Sequence, residues 1–125
     1  MPVPSQKITN LTQSFCTAWT DRDAFAVAGL FEADATFLVN GTPAKDPKAI
    51  ADVADGFFTL FPDLHFMADD TRIASPNALL SWTFYGHHQK TKSFTKLSGW
   101  ITLVASDTGK IATAQMFYDP SALKG

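Results

Sequence analysis

Asp46-Pro-Lys-Ala-Ile-Ala-Asp-Val-Ala-Asp-Gly-Phe-Phe-Thr-Leu-Phe-Pro-Asp-Leu-His-Phe66 is the stretch in which the hydrophobic period of the chain changes. Before Pro62 the apolar residues Ile50, Val53, Phe57 and Phe61 recur every three or four positions, the spacing of one helix face. Asp46 can accept from an early free amide, and Pro47 takes the first helical position, where its missing N–H costs nothing. Pro62 stops the helix. Beyond it, Leu64 to Ile73, Ala78 to Gly86, Phe94 to Ala105 and Lys110 to Tyr118 read as strands. They are separated by Ser75-Pro76-Asn77, by Gly86 and by Asp107-Thr108-Gly109, all turn-forming residues.

Towards the N-terminus, Ser5 is an N-cap, and Ile8, Leu11, Phe15 and Trp19 mark an amphipathic helix to about Trp19. Thr20-Asp21 breaks and recaps the chain, and a short second helix follows with Phe25, Ala28 and Phe31 on one face. Ala35 to Val39 is a strand, ended by Asn40-Gly41, two residues that tolerate positive φ. Three helices and a meander of strands make a single α+β domain over residues 1–125, helices on one face of a curved, mostly antiparallel sheet. Together they are expected to enclose one deep, largely apolar pocket.

Eleven Phe, three Trp and two Tyr supply both a thick core and the walls of such a pocket. A formal net charge of −2 gives no pull toward nucleic acid or an anionic membrane, and Lys90, Lys92 and Lys96 read as a solvated strand face. The single cysteine, Cys16, excludes an internal disulfide framework and a cysteine-rich zinc site. Neither a secretory apolar segment nor a run of ~20 apolar residues is present, so a cytoplasmic protein is expected. Trp100-Ile-Thr-Leu-Val-Ala105 is apolar on both alternating faces. A strand covered on both sides follows, and with the helices on the concave face this predicts a homodimer through the convex face. The alternative is a long strand buried by the chain's own termini.

This order of elements, with Leu30-Phe-Glu-Ala-Asp-Ala-Thr-Phe37, Phe61-Pro-Asp-Leu64 and Gly109-Lys-Ile111, resembles the nuclear transport factor 2-like superfamily. That group includes ketosteroid isomerase, limonene epoxide hydrolase, scytalone dehydratase and the SnoaL-type polyketide cyclases. The resemblance runs from about Lys7 to Leu123. In the SnoaL-like group a Phe-Pro-Asp-Leu helix end and a Trp strand running into Gly-x-His are similar to Phe61 to Leu64 and Trp82 to His88. Phe117-Tyr-Asp-Pro120 is similar to the group's last-strand ending. The resemblance implies a cone with a blind pocket, but no particular reaction, because one fold hosts many.

Set against the family chemistries, the residues exclude two. The carboxylate base, oxyanion tyrosine and acid partner of ketosteroid isomerase would fall near Val39 or Asn40, Phe15, and Trp100 or Ile101, none able to serve. The Asp-Arg-Asp set of limonene epoxide hydrolase would fall near Trp82, Phe84 and Met116, and only Asn40 keeps a trace of its water site. The two histidines of scytalone dehydratase, in a His-Phe run and a His-Gln pair, are similar to His65-Phe66 and His88-Gln89. Its water-holding tyrosines would fall near Trp19 and Val39, which puts that part of the mechanism in doubt. Histidine suits the task because it takes and gives protons near neutral pH.

The expected function is therefore a cofactor-independent enzyme, with no metal, acting on a small apolar or aromatic molecule by proton transfer: dehydration, isomerisation or cyclisation. His65 and His88 are the candidate acid–base pair, with Tyr118 and Asn40 as hydrogen-bonding partners. Phe15, Trp19, Phe37, Phe57, Trp82, Phe84, Trp100 and Met116 are the candidate walls. His87, on the opposite strand face from His88, reads as surface. Asp34 reads as a turn residue, Asp119 as a pocket acid or a binder of tail amides, and Cys16 as inert packing. The rivals are a non-catalytic binder of an apolar ligand and a dimerisation module of the same fold.

Overall fold

The computed structural model describes residues 3–121; the outermost residues of the expected 1–125 domain, including the end of the resemblance at Leu123, lie outside the described residues. Helix α1 spans Ser5–Thr20 and buries Ile8, Leu11, Phe15 and Trp19, as their spacing requires. Its N-cap is Pro4, with no side-chain cap bond, so Ser5 is the first helical residue and not the cap. Asp21 ends α1, and it is Asp23 whose carboxylate accepts from Ala26 N–H at 3.0 Å and starts α2, Ala24–Gly29. That start turns Ala24, Val27 and Ala28 inward and leaves Phe25 84% exposed. Phe31 is buried as the first residue of strand β1, Phe31–Val39, and belongs to no helix. The helical frame through Phe25, Ala28 and Phe31 fails because α2 stops at Gly29.

Strand β1 begins four residues before the expected Ala35, so Asp34 is an exposed strand residue, not a turn residue. It pairs antiparallel with β2, Thr42–Ala44, a strand too short to show a period. Asn40 and Gly41 join them with φ of 49° and 85°, the doubly positive turn that a two-residue hairpin needs. Helix α3, Pro47–Leu60, starts where Asp46 Oδ1 accepts from Ala49 N–H at 2.8 Å and ends on buried Phe61.

Strands β3 (His65–Ala74), β4 (Asn77–His87), β5 (Phe94–Ala105) and β6 (Ile111–Tyr118) follow as an antiparallel meander. The sheet order is β2-β1-β6-β5-β4-β3, and β1 runs parallel to β6. The inward faces carry Phe66, Leu80, Trp82, Phe84, Leu97, Ile101, Leu103 and Met116, packed under α1 and α3. On β5, Ile101 and Leu103 point in, while Trp100 points out and is 53% exposed.

Gly99 decides how closely the Trp82 indole packs on β5. A β-carbon there would collide with the Phe117 carbonyl and stand 2.5 Å from Cζ2 of Trp82, so only glycine lets the indole lie across β5.

Candidate functional site

The interior of the cone is built of aromatic rings in mutual contact. Trp19 stacks on Phe66 at 5.6 Å, and Phe66 stacks on Trp82 at 5.3 Å. Trp82 meets Tyr118 edge-on at 6.3 Å, Tyr118 meets Phe57 at 5.6 Å, and Phe57 returns to Trp19 at 5.5 Å. These five rings from α1, α3, β3, β4 and β6 close a circuit. Phe15, Phe58 and Phe84 pack on its outside. Edge-to-face contacts of this kind add to the stabilisation that burial gives.

Seven of the eight expected walls are therefore inside, and the eighth is not. Phe15, Trp19, Phe57, Trp82 and Phe84 belong to this cluster; Phe37, against Phe31 at 5.3 Å, and Met116 are buried further along β1 and β6. Trp100 is the correction: it lies opposite Ser81 and Phe117 on the outer face. The walls touch one another rather than standing back from an open space. The broader hollows lie elsewhere, one of them, of about 400 Å³, along Leu79, Thr102, Val104 and Gln115 of the outer face.

The two histidines are not brought together. His65 pairs with Tyr85 and its ring lies 5.0 Å from the tyrosine ring; the neighbouring pair Phe66–Phe84 is buried, so His65 is on the outer face. His88 is on the inner side of the rim, buried edge-on against Phe61 at 5.6 Å. Its Nδ1 accepts from the Lys90 N–H at 3.2 Å, which commits that nitrogen to shaping the loop. His87, expected at the surface, is half-exposed and bonded through Nδ1 to Asp63 Oδ2 at 2.6 Å. The His87 ring, and then its backbone N–H at 2.7 Å, hold the Asp63 carboxyl below its usual range.

Asn40 works on the backbone. Its Oδ1 accepts from Tyr118 N–H at 3.0 Å and its own N–H donates to Met116 carbonyl at 2.9 Å. Tyr118 is half-buried between Phe57 and Trp82, and burial raises the pKa of its hydroxyl. Asp119 accepts from the Ser121 hydroxyl and N–H, which hold it acidic; it binds tail amides and is no pocket acid. Burial pushes the Cys16 thiol up to about 11, against a smaller lowering by the Ala68 backbone, so it stays protonated.

Phe58, Phe61 and Phe66 were not among the expected walls, although Phe61 was placed on the apolar face of the third helix. Nothing in the spacing gives the register that sets Phe66 opposite Phe84, nor does it link Asp63 to His87. The polar content of the interior is small. Among the described residues no carboxylate or cationic side chain is buried, and Trp19 Nε1 and Trp82 Nε1 have no hydrogen-bond partner. No group of three metal-ligating side chains occurs among the described residues.

Residues 12–114 match the SnoaL-like domain family. The chain belongs to that family. Solved structures share its fold at low identity. A protein of ketosteroid isomerase-like fold from Catenulispora acidiphila, in complex with trimethylamine, superposes with a TM-score of 0.83 at 17% identity, over 90% of this chain and 88% of that one. A SnoaL-like polyketide cyclase candidate from Jannaschia sp. gives 0.85 at 10% identity, over 99% and 92%. The epoxide hydrolase/cyclase-like enzyme SalBIII, of pyran ring formation in salinomycin, gives 0.82 at 12%, over 94% and 95%. Among proteins of curated function, none matches the sequence. The SnoaL-like fold hosts small-molecule enzymes and binding proteins, and no helix among the described residues is long and apolar enough to cross a membrane.

Proposed function

We propose that this SnoaL-like domain binds a compact, uncharged apolar or aromatic molecule within its cone, and does so without a histidine-pair reaction. One observation carries the reading: the inward side chains form a closed circuit of aromatic rings whose only polar groups are two indole N–H groups and the Tyr118 hydroxyl, while His65 and His88 stand on opposite sides of the sheet. Acid–base elimination needs both proton-transfer groups within hydrogen-bond reach of one substrate. A ring circuit asks for shape and apolar contact instead. Tyr118 is only half-buried, so turning it about χ1 opens the circuit at one end.

Isothermal titration with ethylbenzene tests the reading. One saturable site per chain, with a raised thermal midpoint, is expected; absence of both overturns it. Turnover of any dehydration or cyclisation substrate that disappears in His88→Ala would replace it by the enzyme reading, which His88 alone could serve from the inner rim.

The outer sheet face supports a partner of its own kind. Phe94, Trp100 and Phe117 are exposed along that face, which also carries the hollow at Leu79 and Val104, so a second copy of this chain is the proposed cover. A reducing cytoplasm suits the free thiol of Cys16.

A further inference from the structure

One carboxylate on the outer sheet face is held by a buried hydroxyl and by nothing charged. Strand β3 pairs Ala68 with Trp82 and Asp70 with Ser81, which leaves Asp69 as the extra residue of a β-bulge. A bulge re-aims the side chain it carries. Here it brings the Asp69 carboxylate to β4, where Oδ2 accepts from the Thr83 hydroxyl at 2.6 Å. Thr83 lies between the inward residues Trp82 and Phe84 and so faces outward, yet it is only 6% exposed. Its one hydroxyl proton goes to Asp69, so Ser98 Oγ, 2.9 Å away, is the donor to it. A relay of two hydroxyls, from β5 through β4, therefore fixes one oxygen of a carboxylate on β3. The ion pairs among the described residues are Lys48–Asp52, Arg72–Asp70 and His87–Asp63. Asp69 thus has no cationic partner there, and Lys96 has no anionic one.

Both unpaired charges line one hollow of about 360 Å³, together with Met67, Thr83, Tyr85 and Phe94. Tyr85 and Phe94, with ring centres 6.1 Å apart, give it an apolar wall, and buried Thr83 gives it a polar floor. We propose that this hollow binds a small zwitterion with an apolar side chain, of which a free α-amino acid is the simplest. The ammonium of the ligand takes the Asp69 oxygen that Thr83 leaves free, its carboxylate takes the Lys96 ammonium, and its side chain lies against Tyr85, Phe94 and Met67. Asp69 comes from β3 and Lys96 from β5, on either side of β4, so their backbones stand about 9.5 Å or more apart. The flexible Lys96 stem closes as much of that gap as a ligand requires. An α-amino acid, whose charged ends flank one carbon, fits between them with a charge-assisted hydrogen bond at each end. A ligand with one charge leaves one of the two groups unmatched. Of the exposed aromatic residues assigned above to a second copy, only Phe94 lines this hollow; Trp100 and Phe117 lie outside it.

Phenylalanine, 2-phenylethylamine and 3-phenylpropionate share a ring and differ in their charges, and isothermal titration of the whole chain with each at neutral pH tests the site. Phenylalanine is expected to bind about tenfold more tightly than either of the others. Asp69→Asn keeps an acceptor for Thr83 and loses the charge, so it should bring phenylalanine down to the affinity of 3-phenylpropionate. Lys96→Gln should bring it down to that of 2-phenylethylamine. Both side chains are exposed, so both variants are expected to keep the circular-dichroism spectrum of the unaltered protein. Equal binding of the three by the unaltered protein, tightest binding of the amine or of the acid, or a preference for phenylalanine that survives either substitution each overturn the site. The last result would also be the outcome if phenylalanine entered the cone instead. Absence of binding overturns the site as well, as it would if a second copy covered the hollow.

Discussion

Gly99 and Trp82 form a pair in which the smaller residue exists for the larger. The indole fills the space that any β-carbon at Gly99 would need, and the Phe117 carbonyl closes the other side. Gly99→Ala is therefore expected to lower the unfolding free energy by about 2–3 kcal/mol in urea titrations, the range for overpacking a tight core. A loss under about 0.5 kcal/mol, the scale of an ordinary surface change, would mean that Trp82 does not lie across β5. Cys16 gives a second test at this scale. With its thiol at about 11, only about one molecule in a thousand carries the thiolate at pH 8. A disulfide reagent should leave it unlabelled in the folded protein and label it once denaturant is added; fast labelling without denaturant contradicts its burial.

Between elements, one carboxylate ties the start of β1 to the turn joining β5 and β6. Glu32 Oε1 accepts from Ser106 Oγ at 2.5 Å and from the Thr108 hydroxyl. These two donors, helped by Lys110, hold its carboxyl below the usual value of 4.5 against a smaller opposing push from burial. A pKa lowered in the folded state means the folded chain binds fewer protons, so the stabilisation is whole above the ordinary carboxylate range and fades as pH falls through the lowered value. Glu32→Gln should reduce the thermal midpoint at neutral pH, with the gap to the unaltered protein closing below about pH 4. Circular-dichroism melts at pH 7 and pH 2.5 measure it, and a gap independent of pH refutes the tie. The cap of α3 is simpler: Asp46→Ala removes the bond to Ala49 N–H and should cost about 1 kcal/mol, checked by denaturant titration.

For the whole molecule the open question is what covers the outer sheet face. Phe117, paired with Trp100, is 43% exposed and Phe94, at the start of β5, 61%, more apolar surface than a strand facing water needs. A face of this kind on a curved sheet can pair with its own copy about a two-fold axis. Sedimentation is expected to give twice the chain mass, and Trp100→Arg to give the monomer with its circular-dichroism spectrum kept. A monomer in the unaltered protein excludes the dimer. Because Trp100 points away from the ring circuit, the same variant separates assembly from ligand binding.

Local chemistry was enough for the parts whose partners lie within a few residues. The cap and stop of α3, the Asn40-Gly41 turn and the meander from β3 to β6 follow from hydrophobic period, carboxylate capping and permitted φ, and the sequence resemblance carried the cone itself. Asp23 took the capping role assigned near Asp21, and β2 was too short for a period to register. The site depended on distant pairings. Alternation along β3 says that His65 and Phe66 face opposite ways but not which goes in; the stack of Phe66 between Trp19 and Trp82 settles it. On β5, apolar on both sides, only the pairing of Trp100 with Ser81 and Phe117 turned that indole outward. The aromatic wealth of the sequence determined an apolar interior, whereas tertiary packing alone decided that the rings close on one another and that Trp82 keeps an unpaired donor, because contacts between strands far apart in the chain set the direction of each side chain.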